Sequence, residues 1–463
     1  MKNLIYYLLL FYALVCALSI VFFDGTGDPG DSISHYLFAH YAPLHPVLYF
    51  DHWAKPVFVL LASPFAQFGF AGVKVFNSLV SLAVIFLTYK TAQGLRIPNP
   101  VLAALILMFS PLCYILTFSG LTELLFALFT IAGIYFCTRQ NYLSCGLIIS
   151  FLPYVRSEGL ILVGVFALYF LYKKQWKPFP LLLFGSVLYG IAGYFVHKDF
   201  LWVFTHIPYA KLSSVYGHGG MFHFVEELIS VTGVPVYLLF WTGFIALVVL
   251  IFRKKSNPEY SLLIFFGFCC YFVAHSLFWY LGIFNSMGLK RVLIGIMPII
   301  AIIALQGFNL LTEDLHLVKP WLKKTLRLLL VIYLLVFPFT PNPAAIQWEK
   351  DLMLSPEQKL GNTAADFLLH NGPLNYPVLY NHRYLSMPLH LDYFDTDIRR
   401  EISMENIRAM KPGDILIWDN LYGDFESGIE KKELDALTEL EPVQTFQTKE
   451  GGKEIIFSLY KKR

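Results

Sequence analysis

Charge is the scarcest property of this sequence. Only 14% of its 463 residues are Asp, Glu, Lys or Arg, against roughly 25% in soluble domains. Hydrophobic residues make up 57%, which excludes a disordered chain, because such chains are poor in apolar residues. The apolar runs are long and continuous rather than alternating, which disfavours a β-barrel. The composition therefore predicts an all-α polytopic membrane protein.

Cysteine and nucleotide-binding motifs are also scarce or absent. The sequence has six cysteines, all in or beside apolar runs, with neither a disulfide framework nor zinc-site spacing. It contains no P-loop, no G-x-G-x-x-G leading from a strand into a helix, and no G-x-S-x-G motif. These absences argue against a cytosolic nucleotide-binding module, so energy must arrive with the substrate or from a gradient.

Long apolar stretches predict about eleven transmembrane helices. The first is interpreted as an uncleaved helix rather than a signal peptide, because no clear A-x-A site follows it. The predicted helices cover residues 4–23, 73–88, 101–118, 121–136, 143–152, 160–172, 180–196, 234–252, 260–281, 292–311 and 326–339.

Charge divides the chain near Pro341. Upstream there are 21 Lys and Arg against 12 Asp and Glu, a balance of +9; from Pro341 onward there are 14 against 20, a balance of −6. We therefore predict a membrane domain over 1–340 and a small soluble α/β domain over 341–463. Predicted strands lie at 377–380, 414–418 and 454–460, and predicted helices at 355–370 and 430–440. A cap or an acceptor-recognition module is the expected role of this domain.

Lys and Arg in short loops set the orientation of membrane proteins. With the N-terminus in the cytoplasm, most basic loops lie inside, and the loops 24–72 and 198–233 and the C-terminal domain lie outside. The asymmetry predicts a bacterial inner membrane, with the endoplasmic reticulum left open. Neither domain has the basic clustering of a nucleic-acid-binding protein.

The first outer loop carries a cluster of acids, with Asp28, Asp31 and His35 within a few residues. Asp31 or Ser32 is the expected N-cap of a following helix. The cluster is interpreted as a general base, a metal site or both, against the alternative of an acidic turn. Further along the loop, His52 and Lys55 are three residues apart and suit a surface helix beside Trp53. Lys55 is a candidate phosphate ligand or a snorkelling lysine.

Three ionisable residues fall at membrane depth, where charge is costly and usually faces a wet cavity. They are Glu123, Arg156 and Glu158. Arg156 either pairs with one of the two glutamates or contacts an anionic lipid phosphate. Lys290 and Arg291 lie at the predicted outer start of another helix, although basic residues are usually found on the cytoplasmic side. Two cations at this position could bind a lipid-linked phosphate. His218 lies in a glycine-rich stretch of the second outer loop that could order on substrate.

These segments together resemble the GT-C class of integral-membrane glycosyltransferases, which use dolichyl- or polyprenyl-phosphate sugars. Relatives include the protein mannosyltransferases and the lipid A aminoarabinose transferase. The similar segments are Gly27–His35, Asp51–Pro56, Leu121–Glu123 and Leu152–Gly159. The resemblance covers roughly residues 1–340 and is to an uncharacterised bacterial branch of the class.

The resemblance implies an inverting transfer of a sugar from a polyprenyl-phosphate donor to an acceptor at the outer face. The acceptor is a lipid, a glycan or a protein. The acidic residue of the family's first loop maps to Asp28 or Asp31, and Asp31 is the expected base. Donor-phosphate ligands are expected among Lys55, Arg156, Lys290 and Arg291. Substrate contacts are expected from His35, His52, Glu123, Glu158 and His218. Some members need a divalent cation such as Mg²⁺ or Mn²⁺, for which Asp28 and Asp31 are candidate ligands, and others do not.

Two other functions stay open at this point. A transporter or flippase would explain Arg156 and Glu158, but the sequence has no internal repeat and its polar groups cluster at the outer face. A lipid-linked polysaccharide polymerase or ligase, with a pyrophosphate donor, would use outer-loop arginines equally well.

Overall fold

The computed structural model describes residues 3–208, 213–214, 216–314, 319–372 and 374–463. The part before the C-terminal domain is helical. Its α-helices are Leu4–Phe22, Asp31–Tyr41, Pro56–Ala66, Gly69–Gly94, Val101–Met108, Pro111–Thr117, Glu123–Thr138, Tyr142–Ile149, Leu152–Val155, Gly159–Tyr172, Phe184–His197, Trp202–Thr205, His223–Thr232, Val234–Phe252, Gly267–Leu281, Met297–Asn309 and Pro320–Val336. Short 3-10 or π segments extend several of them: Pro180–Leu183, Glu259–Phe266, Lys290–Ile296, Leu310–Asp314 and Phe337–Phe339.

Six helices among the described residues are long and apolar enough to cross a membrane. They are Leu4–Phe22, Gly69–Gly94, Pro180–His197, Val234–Phe252, Glu259–Leu281 and Lys290–Glu313. This is the architecture of an integral membrane protein.

Each of the eleven predicted stretches contains helix, but several are shorter or broken. The stretch 101–118 divides at Ser110, because Pro111 has no backbone N–H to continue the first helix. Pro153 similarly follows the end of Tyr142–Ile149. An apolar helix that was not predicted, Pro56–Ala66, follows the first outer loop.

The helix spanning Lys290–Glu313 is the most buried of the six and lies at the centre of the helical part. It packs closely against Val234–Phe252 through a pair of glycines. A Cβ on Gly243 would lie 1.9 Å from the Ile303 carbonyl oxygen, and one on Gly307 would lie 2.0 Å from the Leu239 carbonyl oxygen. Small residues allow such backbone contact between membrane helices. This packing lies toward one end of the central helix, and Lys290 and Arg291 lie at the other end.

The described part of the C-terminal domain contains a five-stranded mixed sheet in the order β2-β1-β3-β5-β4. β1 (Val378–Tyr380), β2 (Arg399–Arg400) and β3 (Ile415–Asp419) are parallel, and β5 pairs antiparallel with both β3 and β4. β4 is Leu440–Glu450 and β5 is Lys453–Lys462. The helices are Trp348–Asp351, Pro356–His370, Met404–Arg408, Gly423–Ser427 and Lys431–Asp435, with a 3-10 turn at Arg383–Ser386.

The three predicted strands are present, whereas the predicted helix at 430–440 is wrong in its second half. Lys431–Asp435 is helical, but the chain from Leu440 onward is strand, because it pairs with β5 along its length. All six cysteines are free thiols, as their positions in apolar runs indicate.

The C-terminal domain contacts the first outer loop directly. Asp24 Oδ1 accepts a hydrogen bond from the Leu354 N–H at 3.0 Å, and Gln358 Nε2 donates to Thr26 Oγ1 at 2.9 Å. Farther along the loop, Tyr41 donates its hydroxyl to the Leu391 carbonyl at 2.9 Å. The loop and the C-terminal domain therefore lie on the same side of the helical part.

Candidate active site

The helix Asp31–Tyr41 begins the site, and Asp28 caps it. The Asp28 carboxylate accepts hydrogen bonds from the backbone N–H groups of Gly30 at 3.0 Å and Ser32 at 3.3 Å. The expectation that Asp31 or Ser32 provides the cap is wrong, because Gly30 is the N-cap residue and neither of their side chains bonds the helix start. Asp28 accepts hydrogen bonds from backbone N–H groups that have no partner within the helix, so the Asp31 side chain is available for other contacts.

A tight turn brings this helix beside the start of Glu123–Thr138. The Gly120 N–H donates to Ser32 Oγ at 2.6 Å, and a Cβ on Gly120 would lie 2.3 Å from the Ser32 carbonyl oxygen. Only glycine allows this approach. Buried Asn77 holds the same turn by donating to the carbonyl oxygens of Ser119 and Leu121 at 2.6 and 3.1 Å. Glu123 is thereby placed next to the acidic loop.

Arg291 joins three carboxylates. Its Nη1 lies 2.7 Å from Asp28 Oδ2, its Nη2 contacts Asp31 Oδ2, and its Nε lies 3.3 Å from Glu123 Oε1. The guanidinium fork is suited to several carboxylates at once. The end of the central helix is therefore tied to the start of the first-loop helix.

Arg156 shares one of these carboxylates. Its Nη1 lies 2.7 Å from Glu123 Oε1, and its Nε lies 2.5 Å from Glu158 Oε1. The same Nη1 donates to Thr122 Oγ1 at 3.1 Å. Both ion pairs left open by the sequence therefore form together. We name the six side chains the arginine–carboxylate cluster: Asp28, Asp31, Glu123, Arg156, Glu158 and Arg291.

Lys55 is a buried cation whose charge interacts with the charges of this cluster. It precedes Pro56 with a φ of 68°, a left-handed conformation that is strained for a non-glycine residue. Burial and the positive charge of Arg156 together lower the pKa of Lys55 to about 8, although Glu158 and Asp31 act in the opposite direction. With Lys55 and every member of the cluster ionised, four carboxylates face three cations, so the site carries one net negative charge.

Asp31 is the most accessible acid of the cluster. Its side chain is 41% exposed, against 28% for Asp28, 15% for Glu158 and 0% for Glu123. Burial raises the pKa of Asp31, but Arg291 and other positive neighbours outweigh that effect and leave the pKa below its usual value. Asp31 is therefore a carboxylate at neutral pH and open to an approaching hydroxyl.

His35 and His52 are both buried but differ in surroundings. His35 lies one helical turn after Asp31 and stacks on Trp53, with ring centroids 5.1 Å apart. Burial lowers the pKa of His35 to about 3, so its ring is neutral. His52 Nε2 contacts the Val203 carbonyl oxygen at 3.1 Å and connects the two outer loops.

Two predicted residues lie apart from the cluster. Lys290 neighbours Arg291 in sequence, but its Nζ is 3.9 Å from Glu227 and it forms none of the cluster's ion pairs. His218 is exposed, and its Cβ faces Gly282 at the end of the helix Gly267–Leu281. Both residues begin the 3-10 segment Lys290–Ile296, in which adjacent positions point about 120° apart, so Arg291 and Lys290 face different partners.

Sequence reasoning missed several residues at the site. His275 and Tyr271 lie on one face of Gly267–Leu281 with ring centroids 4.5 Å apart, and His275 is the ionisable residue within that apolar run. A histidine within an apolar run is a sequence signal of a functional site. Arg383 of the C-terminal domain donates to Ser34 Oγ at 3.0 Å, across 349 residues, and no local pattern predicts this contact.

The candidate metal ligands do not form a metal site in this arrangement. Within the described ranges, no group of three or more His, Cys, Asp or Glu side chains is placed to hold an ion. The Arg291 guanidinium bridges Asp28 and Asp31 and supplies the positive charge that a divalent cation would bring. The residues therefore do not fit the cation left open by the sequence.

Comparison with known proteins gives a match in structure but not in sequence. No protein-family model matches the sequence, and neither does any curated protein. The crystal structure of ArnT from Cupriavidus metallidurans in the apo state matches with a TM-score of 0.61 at 11% sequence identity. The match covers 98% of this chain and 97% of that chain. The chain has the fold of ArnT.

The ArnT match confirms the predicted GT-C resemblance at the level of the fold. It also extends the resemblance, which the sequence motifs limited to roughly residues 1–340. Because the match covers nearly the whole chain, the C-terminal sheet domain is part of the ArnT fold as well.

Proposed function

We propose that this protein is an inverting glycosyltransferase that moves a sugar from a polyprenyl-phosphate donor to an acceptor hydroxyl at the outer face of the membrane. One observation carries the proposal. In an ArnT fold, the most exposed carboxylate of an otherwise buried ionic cluster, Asp31, is held by Arg291 at the start of the first-loop helix. An inverting transferase needs one such base.

The reaction is a single displacement. The acceptor oxygen attacks the anomeric carbon while its proton passes to an Asp31 carboxylate oxygen. The bond between the anomeric carbon and the phosphate oxygen breaks, and its electron pair leaves with the polyprenyl phosphate. Asp28 holds Arg291 and the helix start, so it orients Asp31 rather than reacting.

The departing phosphate needs positive charge. Arg156 Nη2 makes no hydrogen bond with a described residue, although the other guanidinium nitrogens of Arg156 bind carboxylates. We propose that Arg156 and Lys55 bind the phosphate oxygens, because both are cations whose charges act on Asp31 within the site. All three guanidinium nitrogens of Arg291 contact carboxylates, and the role proposed for Arg291 is to position Asp31. Phosphate binding by Lys290 stays a prediction without a supporting contact.

The remaining predicted substrate residues divide by location. His35 adjoins the cluster and Glu158 belongs to it, and both are proposed to border the sugar. His52 supports the loop. His218 stays a prediction. The first loop and the C-terminal domain share one side of the helical part, and the distribution of Lys and Arg supports the outer side for both.

Replacement of Asp31 tests the proposal. The detergent-purified protein is incubated with polyprenyl-phosphate sugars and candidate acceptors, and release of polyprenyl phosphate is measured. Asp31→Asn is expected to lower the rate by about 10² to 10⁴, the usual contribution of a general base. Asp199→Asn is the matched control, because Asp199 is an outer-loop acid bonded to Thr205 and outside the cluster.

Two outcomes would contradict the proposal. Full activity in Asp31→Asn would remove Asp31 as the base. Release from pyrophosphate-linked donors alone would indicate a polymerase or ligase instead.

A further inference from the structure

A cavity of about 790 Å³ lies between the first-loop helix and the C-terminal domain. This volume is typical of small-ligand sites. One wall comes from the first outer loop and the other from the sheet domain. The argument rests on six of its lining residues: Ser34, Phe38, Trp53, Arg383, Arg399 and Arg400.

The cavity begins within one helical turn of the proposed base. Asp31, Ser34 and Phe38 are related as i, i+3 and i+7, so they lie on one face of the helix Asp31–Tyr41. At 1.5 Å of rise per residue, Ser34 lies about 4.5 Å along the helix axis from Asp31. Asp31 does not itself line the cavity but lies one helical turn from Ser34, which does.

The arginines of the cavity are held mainly by neutral oxygens. Arg383 donates to Ser34 Oγ at 3.0 Å, and Arg399 donates to the Tyr380 carbonyl oxygen at 3.0 Å and the Tyr393 hydroxyl at 3.0 Å. Arg400 donates Nε to the Thr396 carbonyl oxygen, and its terminal nitrogens have no hydrogen-bond partner among the described residues.

Two acids, Asp51 and Glu401, line the cavity together with the three arginines. Glu401 is 3.7 Å from Arg399 with its side chain 73% exposed, and Glu426 is 3.9 Å from Arg383. Solvent screens an exposed pair of this kind, so the wall keeps much of its positive charge. Arginine donors in a partly desolvated pocket are suited to a carboxylate or a phosphate.

Aromatic rings complete the cavity. Trp53 and Tyr393 lie on either side of Arg383, whose guanidinium carbon is 5.7 and 5.9 Å from their ring centroids. Flat apolar rings beside fixed hydrogen-bond donors are suited to a ligand with apolar C–H faces and polar edges, as a sugar ring has.

We propose that this cavity binds the acceptor, and that the acceptor is a saccharide carrying a carboxylate or a phosphate. The negative group would contact Arg383 and Arg400, and a hydroxyl of the same or the neighbouring sugar would face Asp31. The inference rests on the proposed transferase function for its role, but the binding of an anionic saccharide can be tested without any donor.

Binding is measured by titration calorimetry on the full chain in detergent with three probes. These are cellobiose, the corresponding glucuronic-acid disaccharide, and cellobiose phosphate. Each charged probe that matches the natural acceptor is expected to bind at least about ten-fold more tightly than cellobiose, as one charge-assisted contact implies. Comparison of the two charged probes distinguishes the carboxylate from the phosphate. Equal affinity for all three would overturn the proposal.

Variants assign the preference to the cavity. Arg400→Gln is the mildest change, because that side chain makes a single hydrogen bond. Arg400→Gln and Arg383→Gln are each expected to remove most of the preference for the charged probe. Arg408→Gln is the matched control, an exposed arginine of the same domain that does not line the cavity. An unchanged preference in both cavity variants would overturn the assignment.

A second readout separates this inference from the proposed function. In the transfer assay with donor and acceptor, the KM for the acceptor should rise about ten-fold or more in both cavity variants, while Arg408→Gln should behave as the wild type does. Loss of donor cleavage together with transfer would show that the arginines serve the donor instead. If the wild type cleaves no donor, the proposed function fails, and the calorimetry still decides whether the cavity binds an anionic saccharide.

Discussion

Two groups of arginines contact the helix Asp31–Tyr41 or its neighbours, and they are neutralised differently. Arg156 and Arg291 lie at helix ends and are paired with four carboxylates. Arg383 and Arg399, in the C-terminal domain, bind mainly hydroxyl and carbonyl oxygens. A paired arginine orients its carboxylates and adds little net field, whereas an arginine bound to neutral oxygens still attracts an anion.

The buried acids differ in the same way. Glu123 is fully buried between two arginines, whereas the basic side chain nearest to buried Glu357 in the described part of the C-terminal domain is His382, at 3.8 Å. Burial and neighbouring acids raise the pKa of Glu357 to about 7. The same substitution, Glu to Gln, should therefore have opposite effects in the two domains.

The largest effect is expected from Glu123→Gln. It leaves two buried guanidiniums without their shared counter-charge, and breaking a buried pair costs about 3 to 5 kcal/mol. Thermal unfolding in detergent should show a clear drop in Tm. Glu227→Gln is the control, because its pair with Lys290 is partly exposed and worth at most about 1 kcal/mol. Equal Tm changes in the two variants would refute the idea that Glu123 joins the arginines.

Glu357→Gln should stabilise the protein at alkaline pH. A carboxyl whose pKa rises on folding contributes stability that is complete below its unfolded pKa of about 4.3 and is lost as pH rises through about 7. Gln mimics the protonated acid, so the variant should gain about 2 to 4 kcal/mol at pH 8 and nothing near pH 4. Melting curves at both pH values check this, and a pH-independent difference would contradict it.

Lys55 should impose an alkaline limit on donor use. Its pKa is about 8, so above that pH the cation proposed to bind phosphate is lost. We expect kcat/KM for the donor to fall toward ten-fold per pH unit above about 8. Lys55→Arg keeps its charge and should move the limit upward. If the alkaline fall of kcat/KM stays at the same pH in Lys55→Arg, another titratable group causes it.

The smallest effect is expected from salt, which should act differently on the two groups of arginines. Raising ionic strength from about 0.1 to about 1 M shortens the screening length from about 10 to about 3 Å. Binding of a charged saccharide at the open cavity should weaken several-fold, while release of polyprenyl phosphate from the donor alone should change little. Equal salt sensitivity of both measurements would remove the distinction.

Much of the fold was predictable, because apolar length and strand patterns are local properties. The helix Val234–Phe252 has the bounds predicted for it, and β1, β3 and β5 lie where the sequence indicated. The extent of the helix at 430–440 was not predictable, since the chain leaves the helix after Asp435 and enters β4 at Leu440, where the pairing with β5 begins.

The candidate site was predictable only as separate residues. Asp28, Asp31, Glu123, Arg156 and Arg291 each stand out as ionisable groups at helix ends. Their pairing does not, because Arg291 and Asp28 are 263 residues apart. The role of Asp28 as the helix cap likewise depends on the conformation of the turn before Gly30.

The sequence by itself determined that this is a helical membrane protein with a polar C-terminal domain and an acidic first loop, because burial of apolar runs and exposure of charge follow from composition. The tertiary structure alone decided which cations are neutralised, which acid stays accessible, and that the C-terminal domain closes a cavity beside Asp31. These properties depend on distances between residues far apart in the chain, and electrostatic energy and exposure are functions of those distances.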